Sequence, residues 1–186
     1  MKDIFLWFYC LPIGKAIILV GLATMAYLWF HQWHRVSRMI KAADAILLAC
    51  WLGIIVFATL GQRSPYDSST AILLEPFHSY QEVRNGGNIE LYRSNFMNVI
   101  LFYPAGLLAA LLLPRKWPGW CRFLLVVLVL AAMSAGIEFL QYRYGLGRCE
   151  IDDVIHNTAG ALLGCLASLT PGLFAFRKEK VQKTSG

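Results

Sequence analysis

Charge is scarce in this chain. Of its 186 residues, 15% are charged and only 11 are acidic. A soluble domain of this size carries about 25% charged and roughly 45–50% apolar residues. Here 58% are hydrophobic, and they are gathered into long blocks, which excludes an ordinary water-soluble globule. Cysteines are few and irregular: Cys10, Cys50, Cys121, Cys149 and Cys165 are odd in number and form no C-x-x-C pair. A disulfide framework and a zinc site are therefore not indicated. The sequence also lacks an H-E-x-x-H motif, a nucleophile motif, an internal repeat and a low-complexity segment. No cofactor is predicted. The net charge of +6 does not point to nucleic acid, because the basic residues lie in short clusters between apolar blocks without any basic recognition helix or aromatic RNA-binding motif. No signal-type cleavage site follows the N-terminus, so it is read as part of the fold.

What is present is a series of apolar stretches of membrane-crossing length, about 20 residues each. Residues 16–33, 42–60, 96–113, 123–142 and 154–176 predict an all-α, polytopic transmembrane bundle of about five spans. Residues 4–11 are too short to cross alone and read as an interfacial segment or an extension of the first helix. Three units follow: residues 1–15 as that N-terminal piece, 16–176 as the bundle, and 177–186 as a basic tail. Asp44 is the one charge in the second block and lies at its edge. Between the second and third spans runs a long polar stretch, residues 61–94, whose length marks it as functional. Its short apolar piece, residues 71–74, suits the membrane interface. Pro104 falls inside the third span and predicts a kink.

Lys and Arg set the expected orientation. The link after the first span holds Arg35, Arg38 and Lys41, the link after the third holds Arg115, Lys116 and Arg122, and the tail holds Arg177, Lys178, Lys180 and Lys183. With five spans all three fall on one side, which the positive-inside rule makes cytoplasmic. The N-terminus is then outside and the C-terminus inside.

Polar residues inside the spans concentrate at the outer end. Glu138 and Gln141 are three apart and share a helix face. A carboxylate at mid-membrane costs about 2.5–3.5 kcal/mol on insertion scales, less near the interface, so Glu138 points inward and needs a partner. The last span opens with Asp152, Asp153, His156 and Asn157. One acid there is accounted for by capping, but two beside an intramembrane Glu exceed that need. Gly160 and Gly164 form a small-xxx-small pattern for close helix approach, within a bundle or between protomers. Asn95 and Asn98 add a polar stripe on the third span, and Arg63, Glu75, His78, Arg93 and Arg148 lie in the outer segments. Glu138 and Asp153 are the candidate acid and base. Asn98, Gln141, Arg148, Asp152, Asn157 and Arg63 are the candidate ligand contacts, with Arg suited to phosphate or carboxylate. A metal is not assigned.

Three segments in order, Asn98-Val-Ile-Leu-Phe-Tyr-Pro104-Ala-Gly106, Ile137-Glu138-Phe-Leu-Gln141, and Arg148-x-x-Ile-Asp152-Asp153-Val-Ile-His156-Asn157-Thr-Ala-Gly160, resemble the VanZ-like family. Glu75-Pro76-Phe77 is similar to its pre-helix element, and the likeness spans residues 62–166. The resemblance implies a multi-span bacterial membrane protein linked to the cell envelope, in a family named for teicoplanin resistance. It also implies membrane lipids or a lipid-linked envelope precursor as partner. His156 stands where many members have an apolar residue. Three functions stay open: recognition of, or control of access to, such a component; acid/base enzymology on a lipid or isoprenoid-linked substrate; and a structural scaffold. The oligomeric state is not legible.

Overall fold

The computed structural model describes residues 13–33, 38–61, 71–88, 90–114 and 116–169. These form helices α1 (Ile13–Trp33), α2 (Arg38–Val56), α3 (His78–Arg84), α4 (Glu90–Leu112), α5 (Gly119–Arg143) and α6 (Ile151–Ala167). A π-helical turn, Phe57–Gly61, continues α2, and two short strands, β1 (Ile72–Leu73) and β2 (Cys149–Glu150), pair in parallel. The predicted all-α polytopic bundle is therefore the observed class.

Four helices, α1, α2 with its π turn, α4 and α5, are long and apolar enough to cross a membrane. The fifth predicted span is met in part by α6, whose 17 residues rise about 25 Å at 1.5 Å each. Residues 170–186 and the N-terminal piece, residues 1–12, lie outside the described residues, as does Arg63. Helices α4 and α5 start earlier than their apolar blocks, at Glu90 and Gly119. Apolar runs mark only the stretch facing hydrocarbon, whereas the helical hydrogen bonds continue into polar turns.

Within the long stretch after the second span, residues 71–88 are described and carry a strand and a helix. Residues 71–74, expected at the interface, supply β1, which pairs Ile72 with Cys149 and Leu73 with Glu150. Helix α3 follows directly.

Helix α6 packs most extensively on α4, then on α5, and α2 packs on α4. The α4–α6 contact is a backbone-to-backbone approach. A Cβ on Gly106 would lie 2.1 Å from the Ala161 carbonyl oxygen, on Gly160 2.2 Å from that of Val99, and on Gly164 2.1 Å from that of Tyr103. The small-xxx-small pattern thus serves within the bundle. Around it close Phe102, Ala105, Ile137, Leu130, Ala161 and Cys165. Pro104 sits in α4 as predicted; its ring removes the partner of the Ile100 carbonyl, and the adjacent Leu101 carbonyl accepts from the Trp51 indole at 2.8 Å. Outward-facing positions are apolar too: Leu124, Leu125, Leu128 and Val129 on α5 are exposed. A protein apolar both inside and outside is solvated by lipid.

The helices alternate in direction, so the bundle has two distinct ends. At one meet the starts of α4 and α6, the end of α5, the π turn, α3 and both strands. At the other meet the end of α4, the start of α5 and the end of α6.

Candidate functional site at the polar end

Nearly every intramembrane polar residue singled out in the sequence lies at the first of these ends. Asp152, on the opening turn of α6, is 2% exposed. Its Oδ1 accepts the Phe77 backbone N–H at 2.5 Å; its Oδ2 accepts the Ser79 N–H at 2.9 Å and the Ser79 hydroxyl at 2.5 Å. Asn95 Nδ2 then donates to the Ser79 hydroxyl oxygen at 2.8 Å. This carboxylate caps α3, whose preceding residue has no side-chain cap of its own. It also pins Phe77 in the left-handed region, φ 62°, where a bulky residue carries strain of about 1–3 kcal/mol.

One turn along α6, His156 turns toward the same helix. Its Nδ1 lies 2.6 Å from the Asp152 carbonyl oxygen and its Nε2 lies 2.8 Å from the Tyr80 hydroxyl. A carbonyl only accepts, so Nδ1 carries the proton, and in the neutral ring Nε2 accepts from Tyr80. The two rings stack at 5.7 Å.

The other face of α6 looks into the bundle. Asp153 Oδ1 accepts from Asn98 Nδ2 on α4 at 2.8 Å. Asn157 Nδ2 donates to the Ser134 hydroxyl on α5 at 2.9 Å. Along α5, Ser134, Glu138 and Gln141 form one buried stripe. Glu138 Oε2 accepts the Glu150 N–H at 3.0 Å, joining α5 to β2. Gln141 Nε2 donates to the Thr59 carbonyl at 3.0 Å, which fixes the amide orientation because a carbonyl cannot donate. Gln141 Oε1 and Asn157 Oδ1 are buried acceptors without a partner among the described residues. A buried acceptor left without a donor costs about 1–3 kcal/mol, so this pair creates a demand for N–H, O–H or positive charge.

At the rim, Arg148 Nε pairs with Glu150 Oε1 at 2.8 Å. That contact uses Nε and leaves the terminal guanidinium nitrogens outside the pair. Cys149, between them, has its thiol pushed up from its ordinary pKa, first by burial, then by the Glu138 and Glu150 carboxylates. It is therefore not an activated nucleophile.

Six of the predicted ligand and acid/base residues besides Asp152 thus converge here: Asn98, Glu138, Gln141, Arg148, Asp153 and Asn157. His78 does not join them. It lies 3.5 Å from Glu75 and 3.9 Å from Glu82 on the exposed side of α3. Arg93 pairs within its own helix with Glu90 at 3.8 Å. Sequence reasoning missed Ser79, Tyr80, Thr59 and Ser134, because hydroxyl and backbone partners carry no spacing signal. Among the described residues no group of three His, Cys, Asp or Glu side chains is placed to hold a metal.

A family model described as VanZ/LLP1 matches residues 44–174, more than half of the chain and all of the polar end just described. No curated protein and no solved structure matches.

Proposed function

The chain belongs to the VanZ/LLP1 family of membrane proteins, and from that membership we propose that its polar end recognises a lipid-linked cell-envelope component, or controls access to it. In this reading the polar end faces outward, as the Lys/Arg distribution implies, in a bacterial inner membrane with the N-terminus out and the C-terminus in. Arg148 contacts a phosphate or carboxylate through its terminal nitrogens. Glu138 and Asp153 bind or orient the donor groups of the ligand. Asn98, Gln141 and Asn157 shape the floor, and Asp152 holds α3 in place beside it. Tolerance to teicoplanin would follow from altered access to the lipid-linked target.

The observation that carries the reading is the pair of buried acceptors, Gln141 Oε1 and Asn157 Oδ1, that lack donors in a cluster otherwise closely bonded. A purely structural polar core is favoured by full pairing. The test is Arg148→Ala and Asp153→Asn in correctly inserted protein. Binding to envelope-lipid precursor is expected to weaken about tenfold or more on losing a charge-assisted contact, and teicoplanin susceptibility to rise. Wild-type values of both would end this reading.

A scaffold role is the second reading. It is favoured by Asp152, whose carboxylate is fully occupied by α3. It predicts that Glu138→Gln lowers stability and changes no envelope phenotype.

A further inference from the structure

Residues 71–84 do not stand above the helix ends as an ordinary connecting loop would. Strand β1 runs parallel to β2, the strand that leads into α6, and so heads into the bundle with it. The chain bends at residues 74–77, and α3 then carries it back toward the turn that precedes α4.

Hydrogen bonds fix how deep the bend lies. Glu150, the partner of Leu73, donates its N–H to Glu138, five residues before the end of α5. The Ser79 hydroxyl accepts from Asn95, five residues into α4. Five residues of helix rise about 7.5 Å, so two separate helices put the bend that far inside their ends. At that depth the spans have shed their charges. Beyond Arg93, α4 carries no charged residue, and between Arg122 and Arg143 the only one in α5 is Glu138, which is buried. Phe139 and Leu140 beside it are exposed and apolar. The bend is thus level with the first lipid-facing turn of the spans.

Its side chains suit that level. Leu74 is 66% and Phe77 52% exposed, and Ile72 is exposed as well. The Phe77 ring meets Tyr80 edge-on at 6.0 Å, and Tyr80 meets Tyr92 at 5.2 Å, a row of rings of the kind that sits at headgroup depth. Glu75, His78 and Glu82 form a polar stripe that leads from the bend back along α3, with contacts of 3.5 and 3.9 Å.

The backbone suits it too. Irregular backbone persists at membrane depth where its polar groups are bonded within the protein. Asp152 takes the N–H groups of Phe77 and Ser79, the Glu75 carbonyl takes that of His78 at 3.3 Å, and the Ala71 carbonyl takes that of Cys149 at 2.9 Å. The left-handed conformation of Phe77 turns an apolar ring outward, which water disfavours and lipid does not.

We propose that residues 71–84 form a re-entrant hairpin seated in the leaflet at the polar end, with Leu74 and Phe77 in contact with lipid acyl chains. This depends neither on what the polar end binds nor on which side of the membrane it faces.

Benzophenone photo-cross-linking tests it. p-Benzoylphenylalanine is placed singly at Leu74, Phe77, Phe139 and Asn85 of the full chain, in vesicles of phosphatidylethanolamine and phosphatidylglycerol, and lipid adducts are quantified by mass spectrometry. Phe139 is the lipid-facing reference, and Asn85, exposed at the end of α3, is the aqueous one. Leu74 and Phe77 are expected to yield lipid adducts within about twofold of Phe139 and at least roughly fivefold above Asn85. A yield at Leu74 no higher than at Asn85 would overturn the hairpin. So would cross-links from Leu74 to a second copy of the chain in place of lipid, which would make the bend a protein contact. Leu74, being largely exposed, tolerates replacement and decides the outcome if the Phe77 variant fails to insert.

Discussion

The carboxylate of Asp152 accepts two hydrogen bonds from Ser79, a residue 73 positions earlier, one from its N–H at 2.9 Å and one from its hydroxyl at 2.5 Å. An acid at the start of α6 is thereby the cap of another helix. The four orphan N–H groups of a helix start need acceptors, and a charged acceptor makes the stronger bond. Asp152→Ala is expected to cost about 2–3 kcal/mol, because it leaves the Phe77 and Ser79 donors unpaired in a buried setting. Asp152→Asn keeps one acceptor oxygen and is expected to cost less. Hydrogen exchange at residues 77–81 checks this directly: protection should fall there first, while α4 and α5 keep theirs. Equal loss across the bundle would contradict a local capping role.

A substitution that changes only one methyl group separates the two kinds of glycine. Gly106→Ala, Gly160→Ala and Gly164→Ala each place a Cβ 2.1–2.2 Å from a backbone oxygen, and a backbone cannot yield as a side-chain tip does. Each is expected to force α4 and α6 apart, costing about 2 kcal/mol or more. Gly53→Ala and Gly136→Ala meet nothing within 4 Å and should be neutral or slightly stabilising through helix propensity. Resistance to unfolding in mixed detergent micelles ranks the five. If Gly136→Ala is as damaging as Gly160→Ala, the close approach is not what these glycines serve.

Much of this was legible in the chain because a membrane imposes few rules and imposes them strongly. Apolar blocks fixed the spans, and the cost of a charge in hydrocarbon sent Glu138 and the pair Asp152–Asp153 inward, where they are found. The i, i+4 spacing of Gly160 and Gly164 announced a close backbone approach, but not that its partner would be α4. What escaped was set by partners distant in sequence. Nothing in residues 61–94 says that Ser79 and Tyr80 will meet Asp152 and His156, since those contacts depend on how the chain turns before α3. Asp44 escaped for the same reason: the sequence shows only a charge at a block edge, and its partners Tyr27 and His31 on α1, which leave it 3% exposed, carry no spacing signal.

The raised pKa of Cys149 gives a test of charge and of sidedness together. Only the thiolate reacts with a maleimide. Burial acts first, and the Glu138 and Glu150 fields add to it, so less thiolate forms at a given pH than in a free cysteine. In a single-cysteine background, labelling by a membrane-impermeant maleimide should be slow at neutral pH and accelerate only above the ordinary thiol range. Glu138→Gln removes one negative charge, lowers the thiol pKa and should speed labelling at fixed pH; the burial contribution remains, so the change is partial. The same reagent added to intact cells reads orientation. Labelling only after the membrane is opened would put the polar end on the cytoplasmic side, against the orientation proposed here.

Asp44 is the strongest tie between α1 and the rest. Tyr27 donates its hydroxyl to Asp44 Oδ1 at 2.5 Å, and His31 Nε2 lies 3.2 Å from the same oxygen. Near its other end α1 also meets the bundle through Ala16 and Val20 against Ile100, Phe96 and Met97, a small apolar patch. Most of its remaining surface faces outward, including Ile18, Leu22, Met25 and Trp29, and lipid holds those as well as protein would. Removing the carboxylate therefore takes away the buried side-chain hydrogen bonds that join α1 to α2 at that end. Bonds of this kind in membranes contribute about 0.6 kcal/mol on average, and those to a charged group about 1.5–3 kcal/mol, so Asp44→Ala is expected to cost about 1–2 kcal/mol. That is enough to populate a splayed state measurably. Spin labels at the exposed positions Trp29 and Met39 report it as a broadened, longer distance distribution, while a label pair on α4 and α5 serves as the unchanged control. An unaltered distribution for the first pair would mean that apolar contact alone holds α1, and that the buried acid has some use other than fastening it.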